Sequence, residues 1–324
     1  MAALSQQPRV YVQFADQNAP DRDRVASGAE MHTDSLLCIG LDPDLSRFPT
    51  SLRDCDSVAG AIIAFNGEVI AATSDLVCAY KPNLGFYLAH GRAGIEALEE
   101  TRRLVPSHIP VILDAKVGDM GNTADAYATA YFDTWGFDAV TVNPYLGEDS
   151  LAPFMRRDDK GVIVVCKTSN PGSGDLQNCS LEGGGVKQPM YLTVADRVAT
   201  WADRWPATLG LVVGATYPAE LAEVRSRCPD LPILLPGIGA QGGDLEASLR
   251  AGLDTAGAGL LVSSSRSVLY AEAKGEEDWI DAVRAEALRL RDAIDRVRTS
   301  SGWVQDLVPG SRKTRLFAQD RAGA

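Results

Sequence analysis

The feature that most constrains this chain is a repeat of eight short apolar runs, each followed by helix-compatible sequence. The runs cover residues 36–41, 76–80, 111–113, 139–142, 162–166, 209–213, 233–235 and 259–262. Most are rich in Val, Ile and Leu with no polar alternation, the pattern of strands buried on both faces in a parallel sheet. Between them lie helical patterns such as 58–65 and 93–98. Another is 244–249, opened by Asp244, a residue suited to capping. Eight β/α alternations predict an α/β protein, either a (β/α)8 (TIM) barrel or a doubly wound open sheet. The polar residues favour the barrel. Asp42, Lys81, Asp114 with Lys116, Asn143, Thr168 with Ser169, and Ser264 with Arg266 all stand at run ends. Barrel enzymes build their sites from the C-terminal ends of many strands, whereas an open sheet offers one crevice. The expected organisation is an N-terminal arm (1–34), a single barrel domain (35–299) and a C-terminal tail (300–324). A charged amphipathic helix closes the barrel domain, with Ile280, Val283, Ala287, Leu290 and Ile294 as its apolar stripe.

The run ends carry an alternation of acids and bases: Asp42, Lys81, Asp114, Lys116 and Asp119. Strand side chains alternate faces, so Asp114 and Lys116, two apart, are expected on one face. Charges converging at a barrel mouth are costly unless paired. Paired, they hold one another in place, and the carboxylates keep the lysines protonated. A fixed ammonium of this kind suits stabilisation and protonation of a carbanion, with no metal or cofactor required. A surface salt bridge is the plain alternative for any one of these pairs.

The stretch Pro236-Gly237-Ile238-Gly239-Ala240-Gln241-Gly242 follows the seventh run, and Arg266 follows the eighth. The loops after strands seven and eight of a barrel commonly bind phosphate through backbone N–H groups, and an Arg adds a bidentate contact. Read as a dinucleotide fingerprint, the glycine pattern is misplaced, because it does not open a βαβ nucleotide domain. The stretch Lys167-Thr168-Ser169-Asn170-Pro171-Gly172 after the fifth run offers hydroxyl, amide and backbone groups suited to a neutral polar ring. The segment 171–189 is long for a β/α loop and reads equally as a binding loop or a surface insertion.

Composition excludes several classes. A net charge of −12 argues against nucleic acid or an anionic membrane as the main partner. No apolar run is long enough to span a bilayer, and the first residues show no secretory pattern. The six cysteines form no C-x-x-C pair, and Cys38, Cys78 and Cys166 lie in apolar runs, as in a reduced cytoplasmic protein. The three histidines share no metal-ligand spacing.

Taken together, five motifs in order resemble the orotidine 5′-phosphate decarboxylase family, in its longer bacterial-type branch. They are Gly40-Leu41-Asp42-Pro43; Tyr80-Lys81-Pro82-Asn83; Asp114-Ala115-Lys116 with Gly118-Asp119 and Gly121-Asn122-Thr123; Thr168-Ser169-Asn170-Pro171-Gly172; and Pro236-Gly237-Ile238-Gly239-Ala240-Gln241. The similarity runs from about residue 36 to residue 271. It implies a cofactor-free, metal-free homodimeric barrel that converts orotidine 5′-phosphate to UMP and CO2 in pyrimidine biosynthesis. It also implies roles. Lys116 would protonate C6, Asp114 would face the substrate carboxylate, and Lys81 would hold the network. Asp42 would bind a ribose hydroxyl, and Ser169 the pyrimidine. Gln241 and Arg266 would hold the phosphate, with Gly239 in the same loop. Asp119 and Thr123 would reach into the neighbouring subunit's site. Val117 and Met120 stand where that branch leads one to expect a basic residue and an Ile, and neither belongs to the charged array. Two rival readings share the barrel: a Mg2+-dependent sugar-phosphate aldolase or decarboxylase of the hexulose-phosphate synthase type, and a non-catalytic nucleotide-phosphate sensor.

Overall fold

A computed structural model describes residues 34–53, 55–183, 186–238, 244–273 and 278–300. Eight parallel strands form the barrel: β1 (Leu37–Gly40), β2 (Ala79–Lys81), β3 (Ile112–Val117), β4 (Ala139–Val142), β5 (Gly161–Lys167), β6 (Thr208–Val213), β7 (Ile233–Pro236) and β8 (Leu260–Ser264). Every strand pairs in parallel with its sequence neighbour except across the β2/β3 junction, and β8 pairs with β1. The junction of β2 and β3 is the thinnest. Only two isolated bridges join them, Tyr80 with Val111 and Asn83 with Asp114. The backbone bonds there are Tyr80 N–H to Pro110 O (3.0 Å) and Asp114 N–H to Pro82 O (2.9 Å). Pro82 and Pro110 flank this seam and donate nothing, which limits the ladder.

The outer layer consists of α1 (Val58–Thr73), α2 (Gly91–Leu104), α3 (Gly121–Ala128), α4 (Glu148–Met155), α5 (Met190–Ala202), α6 (Pro218–Arg227), α7 (Leu245–Gly252) and α8 (Trp279–Ser300). Local chemistry sets several starts. Ser57 Oγ accepts from Gly60 N–H to cap α1, and the expected Asp244 cap accepts from Ala247 N–H to open α7. The apolar stripe of α8 is buried at Val283, Ala287, Leu290 and Ile294. No helix among the described residues is long and apolar enough to cross a membrane.

The alternation of side chains sorts the core into two layers. Leu37, Ile39, Leu113, Val140, Val142, Val162, Val164, Leu211, Val213, Leu235 and Val262 pack outward against the helices. A second, separate cluster takes one residue from every strand: Cys38, Ala79, Ile112, Ala139, Ile163, Val212, Leu234 and Leu261. These fill the barrel interior and leave no pore. Two residues further along, the same interior face carries Gly40, Lys81, Asp114, Thr141, Val165, Gly214, Pro236 and Ser263. The polarity thus changes within one strand period, from an apolar floor to a charged rim.

Two differences from the sequence-based expectation concern boundaries. The third strand extends to Val117, beyond the apolar run that ends at Leu113, so Asp114 and Lys116 lie within it. The described residues of the segment 171–189 are structured. They hold a turn at Pro171–Ser173, a short helix at Gly174–Gln177, and an antiparallel ribbon of Ser180–Gly183 with Val186–Pro189.

Candidate active site

Asp114 is the hub of the rim. Its Oδ2 accepts from Lys81 Nζ at 3.1 Å and from Asn83 Nδ2 at 3.4 Å. Its Oδ1 accepts from Lys116 Nζ at 2.5 Å and from Thr141 Oγ1 at 2.9 Å. Burial pushes this carboxyl up. The ammonium groups of Lys81 and Lys116 and the donated hydrogen bonds outweigh that effect and hold it well below the usual carboxylate range. Burial likewise pushes Lys81 down, while Asp114 and Asp42 reverse the balance and keep it above the ordinary lysine range. The two lysines differ in access. The Lys81 side chain is 6% exposed, whereas that of Lys116 is 45% exposed and open to the barrel mouth. One carboxylate therefore fixes one sealed cation and one accessible cation.

Lys116 reaches its place through an unusual backbone. Its φ is +46°, the only positive value for a non-glycine among the described residues. The left-handed region costs an L-residue of this kind ~1–2 kcal/mol. The conformation coincides with a register shift between Leu113 and Val117 against β4. It also turns Lys116 N–H onto Thr141 Oγ1 at 2.9 Å, while that hydroxyl donates to Asp114. Thr141 thus organises both the strained backbone and the carboxylate.

The adjacent residues extend the rim. Asp42 is buried, and its Oδ1 accepts from Asn83 N–H at 3.1 Å. Tyr270 joins the turn after β8 to this segment, donating to Asp42 O at 3.0 Å and accepting from Asp44 N–H at 2.6 Å. Arg266, exposed at the start of the short helix Arg266–Leu269, stands on that same turn. Close packing is strict here: a Cβ on Gly40 would lie 1.8 Å from Ser265 Oγ. Ser169 lies after β5 against Gly214, where a Cβ would come within 2.8 Å of Ser169 N.

The structure therefore brings Asp42, Lys81, Asp114 and Lys116 together, with Ser169 and Arg266 on neighbouring segments of the same rim. Asp119 and Thr123 do not join the array within one chain. Asp119 Oδ1 accepts from Met120 N–H in its own loop, and Thr123 is exposed near the start of α3. Gly239 and Gln241 lie outside the described residues. Two contributors were not expected, Thr141 and Asn83. The signal for Thr141 was a lone hydroxyl inside the apolar run Ala139-Val140-Thr141-Val142.

The sequence profile of the orotidine 5′-phosphate decarboxylase / HUMPS family matches residues 35–278. The chain belongs to this family. An orotidine 5′-phosphate decarboxylase from Thermomicrobium roseum is 57% identical over 265 residues, covering 82% of this chain and 91% of that one. One from Herpetosiphon aurantiacus is 53% identical, covering 78% and 90%. The solved structure of Leishmania donovani OMP decarboxylase superposes with a TM-score of 0.69 at 43% identity, covering 82% of this chain and 94% of that one. Within the orotidine 5′-phosphate decarboxylase / HUMPS family, the Asp–Lys rim is the feature to explain.

Proposed function

We propose that the chain decarboxylates orotidine 5′-phosphate to UMP and CO2, and that Lys116 delivers the proton to C6. The observation that carries this reading is the Asp114 carboxylate held between two ammonium groups, one sealed and one open to the mouth. Loss of CO2 leaves an electron pair on C6 that the pyrimidine ring does not delocalise. A cation fixed near that carbon opposes the developing charge and then supplies the proton. A unit-charge pair ~4 Å apart at an effective dielectric of ~20 contributes ~4 kcal/mol. Enzymes lower barriers by ~8–23 kcal/mol, so Lys116 supplies only part. Preorganisation supports the rest: the network of Lys81, Thr141 and Asn83 fixes Asp114 and Lys116 before substrate arrives. Binding energy from the phosphate, for which Arg266, Gly239 and Gln241 are the proposed contacts, is available to the reaction. In this reading Asp42 binds the ribose, Ser169 binds the pyrimidine, and residues 35–299 act as one barrel domain in the cytoplasm.

The donor set supports a metal-free reaction. Both Asp114 oxygens already accept from ammonium groups, and a divalent cation would have to displace them. The test is the loss of orotidine 5′-phosphate absorbance in EDTA. Turnover is expected with the native chain, with Lys116→Ala folded but slower by at least ~10²–10⁴-fold, the range of a lost proton transfer. Near-normal turnover by Lys116→Ala would end the assignment. Activity that appears only with Mg2+ on a sugar phosphate would favour the aldolase-type chemistry.

The proposed active form is a homodimer in which Asp119 and Thr123 enter the neighbouring site. Supporting it, both residues stand apart from their own chain's array, beside Met120 (60% exposed), with Tyr145 (73% exposed) in the loop after β4. Mixing inactive Lys116→Ala and Asp119→Ala chains should then restore activity, because a hybrid dimer holds one intact site. No recovery after subunit exchange would place Asp119 in its own chain's chemistry or outside it.

A further inference from the structure

Lys167, the last residue of β5, is a second buried lysine that the proposed reaction does not use. Its side chain is fully enclosed, with the residue 1% exposed. Nζ donates to Asn178 Oδ1 at 2.9 Å and to Ser173 Oγ at 3.1 Å. It also lies 4.6 Å from the Tyr217 ring centre and 5.8 Å from that of Tyr191. Unlike Lys81, it has no carboxylate within ion-pair distance among the described residues. A buried ammonium held only by neutral oxygens and aromatic faces is costly unless every donor is engaged. Its partners come from three separate segments: the loop after β5, the loop after β6, and the start of α5.

The next residue is tied into the same loop. Thr168 N–H donates to Gln177 Oε1 at 2.9 Å, and Gln177 Nε2 donates back to Thr168 Oγ1 at 2.8 Å. Residues 167–178 thus form a closed loop pinned at its base, and Ser169 stands directly on that base. On the far side Ser169 rests against Gly214, and Thr216 Oγ1 donates to Ser169 O at 3.4 Å.

We propose that Lys167 is a positioning residue whose buried ammonium ties the 168–178 loop to the barrel rim and so fixes Ser169 for contact with the pyrimidine. The proposal rests on the decarboxylase reading for its substrate, but the loop-holding part stands on the contacts alone. An apolar side chain of similar length would keep the packing and lose the tie. Lys167 touches no reacting atom and acts through Ser169.

The test compares Lys167→Met, Ser169→Ala and the double variant. Lys167→Met should lower kcat/KM for orotidine 5′-phosphate about 10–100-fold. The Ki of ribose 5-phosphate, which has no pyrimidine, should change less than twofold. Added to Ser169→Ala, Lys167→Met should cost less than a further threefold. Hydrogen exchange should quicken at 168–179 while the barrel strands stay protected. Should Lys167→Met fail to fold, the loop-side double variant Ser173→Ala with Asn178→Ala removes the acceptors and should reproduce the same pattern. Full multiplication of the two effects, an equal loss of ribose 5-phosphate affinity, or unchanged exchange at 168–179 would each overturn the proposal. Should the native chain not turn over orotidine 5′-phosphate, the decarboxylase reading fails, and the exchange comparison still decides whether Lys167 holds the loop.

Discussion

The sealed lysine gives a prediction whose size follows from the geometry. Lys81→Met removes a charge but keeps a flexible apolar side chain of similar length. In the native protein Lys81 Nζ lies 3.1 Å from Asp114 Oδ2. At an effective dielectric of ~20 that attraction is about 5 kcal/mol. Desolvation of the ammonium offsets much of it, so the pair itself contributes little net stability. Breaking it is a different matter, because a buried carboxylate is left short of a counter-charge. Removing one partner from such a pair costs ~3–5 kcal/mol. Asp114 retains Lys116, Thr141 and Asn83, which places the expected cost at the low end, about 3 kcal/mol. For a barrel of this size that corresponds to a fall in Tm of roughly 5–6 °C. Asp114→Asn removes the need for a counter-charge, so the double variant should lose less than the two singles combined, by about 2 kcal/mol. Urea unfolding of the four proteins at neutral pH, followed by circular dichroism, measures both quantities. A Lys81→Met protein within about 0.5 kcal/mol of native, or a strictly additive double variant, would refute the argument.

Two further predictions rest on the same rim. The folded-state pKa of Asp114 is depressed, so its stabilisation is present above the unfolded-chain value near ~3.9 and is lost as pH falls through and below it. Stability measured from pH 7 downward should therefore decline steeply below about pH 5, and Asp114→Asn should flatten that limb; an identical acid limb would show that Asp114 does not set it. Gly40→Ala would push a Cβ into Ser265 Oγ and should cost ~1–3 kcal/mol, most of it recovered by adding Ser265→Gly. Failure of the second change to rescue the first in urea unfolding would locate the strain elsewhere.

Much of this architecture was legible in the chain because a parallel barrel buries both faces of every strand and so writes each strand as an apolar run. The same property hid the division between interior and helix-facing positions. Ala139, Val140, Thr141 and Val142 read as one run, and only barrel closure separates Ala139 and Thr141 from their neighbours. That is why Thr141 escaped notice. The third strand reads short in the sequence because Asp114 and Lys116 interrupt its apolar run, and pairing at Val117 follows a register shift beside the left-handed backbone of Lys116. Lys167 was visible as a residue but not as a buried one. A lysine after an apolar run reads as surface, and its cover comes from Tyr191 and Tyr217, distant in sequence. Asp42, Lys81, Asp114 and Lys116 were legible because their charges recur at run ends, where the barrel geometry makes them meet.

The thin seam between β2 and β3 gives these charges a second meaning. Lys81 stands at the end of one strand and Asp114 within the other, so their ion pair spans the gap that two backbone bridges barely close. Under the proposed function, the charges that serve the reaction are also the clasp of the cylinder. A single substitution at Lys81 or Asp114 therefore touches the seam as well as the rim. A descendant that lost only one of the two partners would leave the other buried without its counter-charge, whereas one that replaced both with well-packed apolar side chains would keep the seam closed.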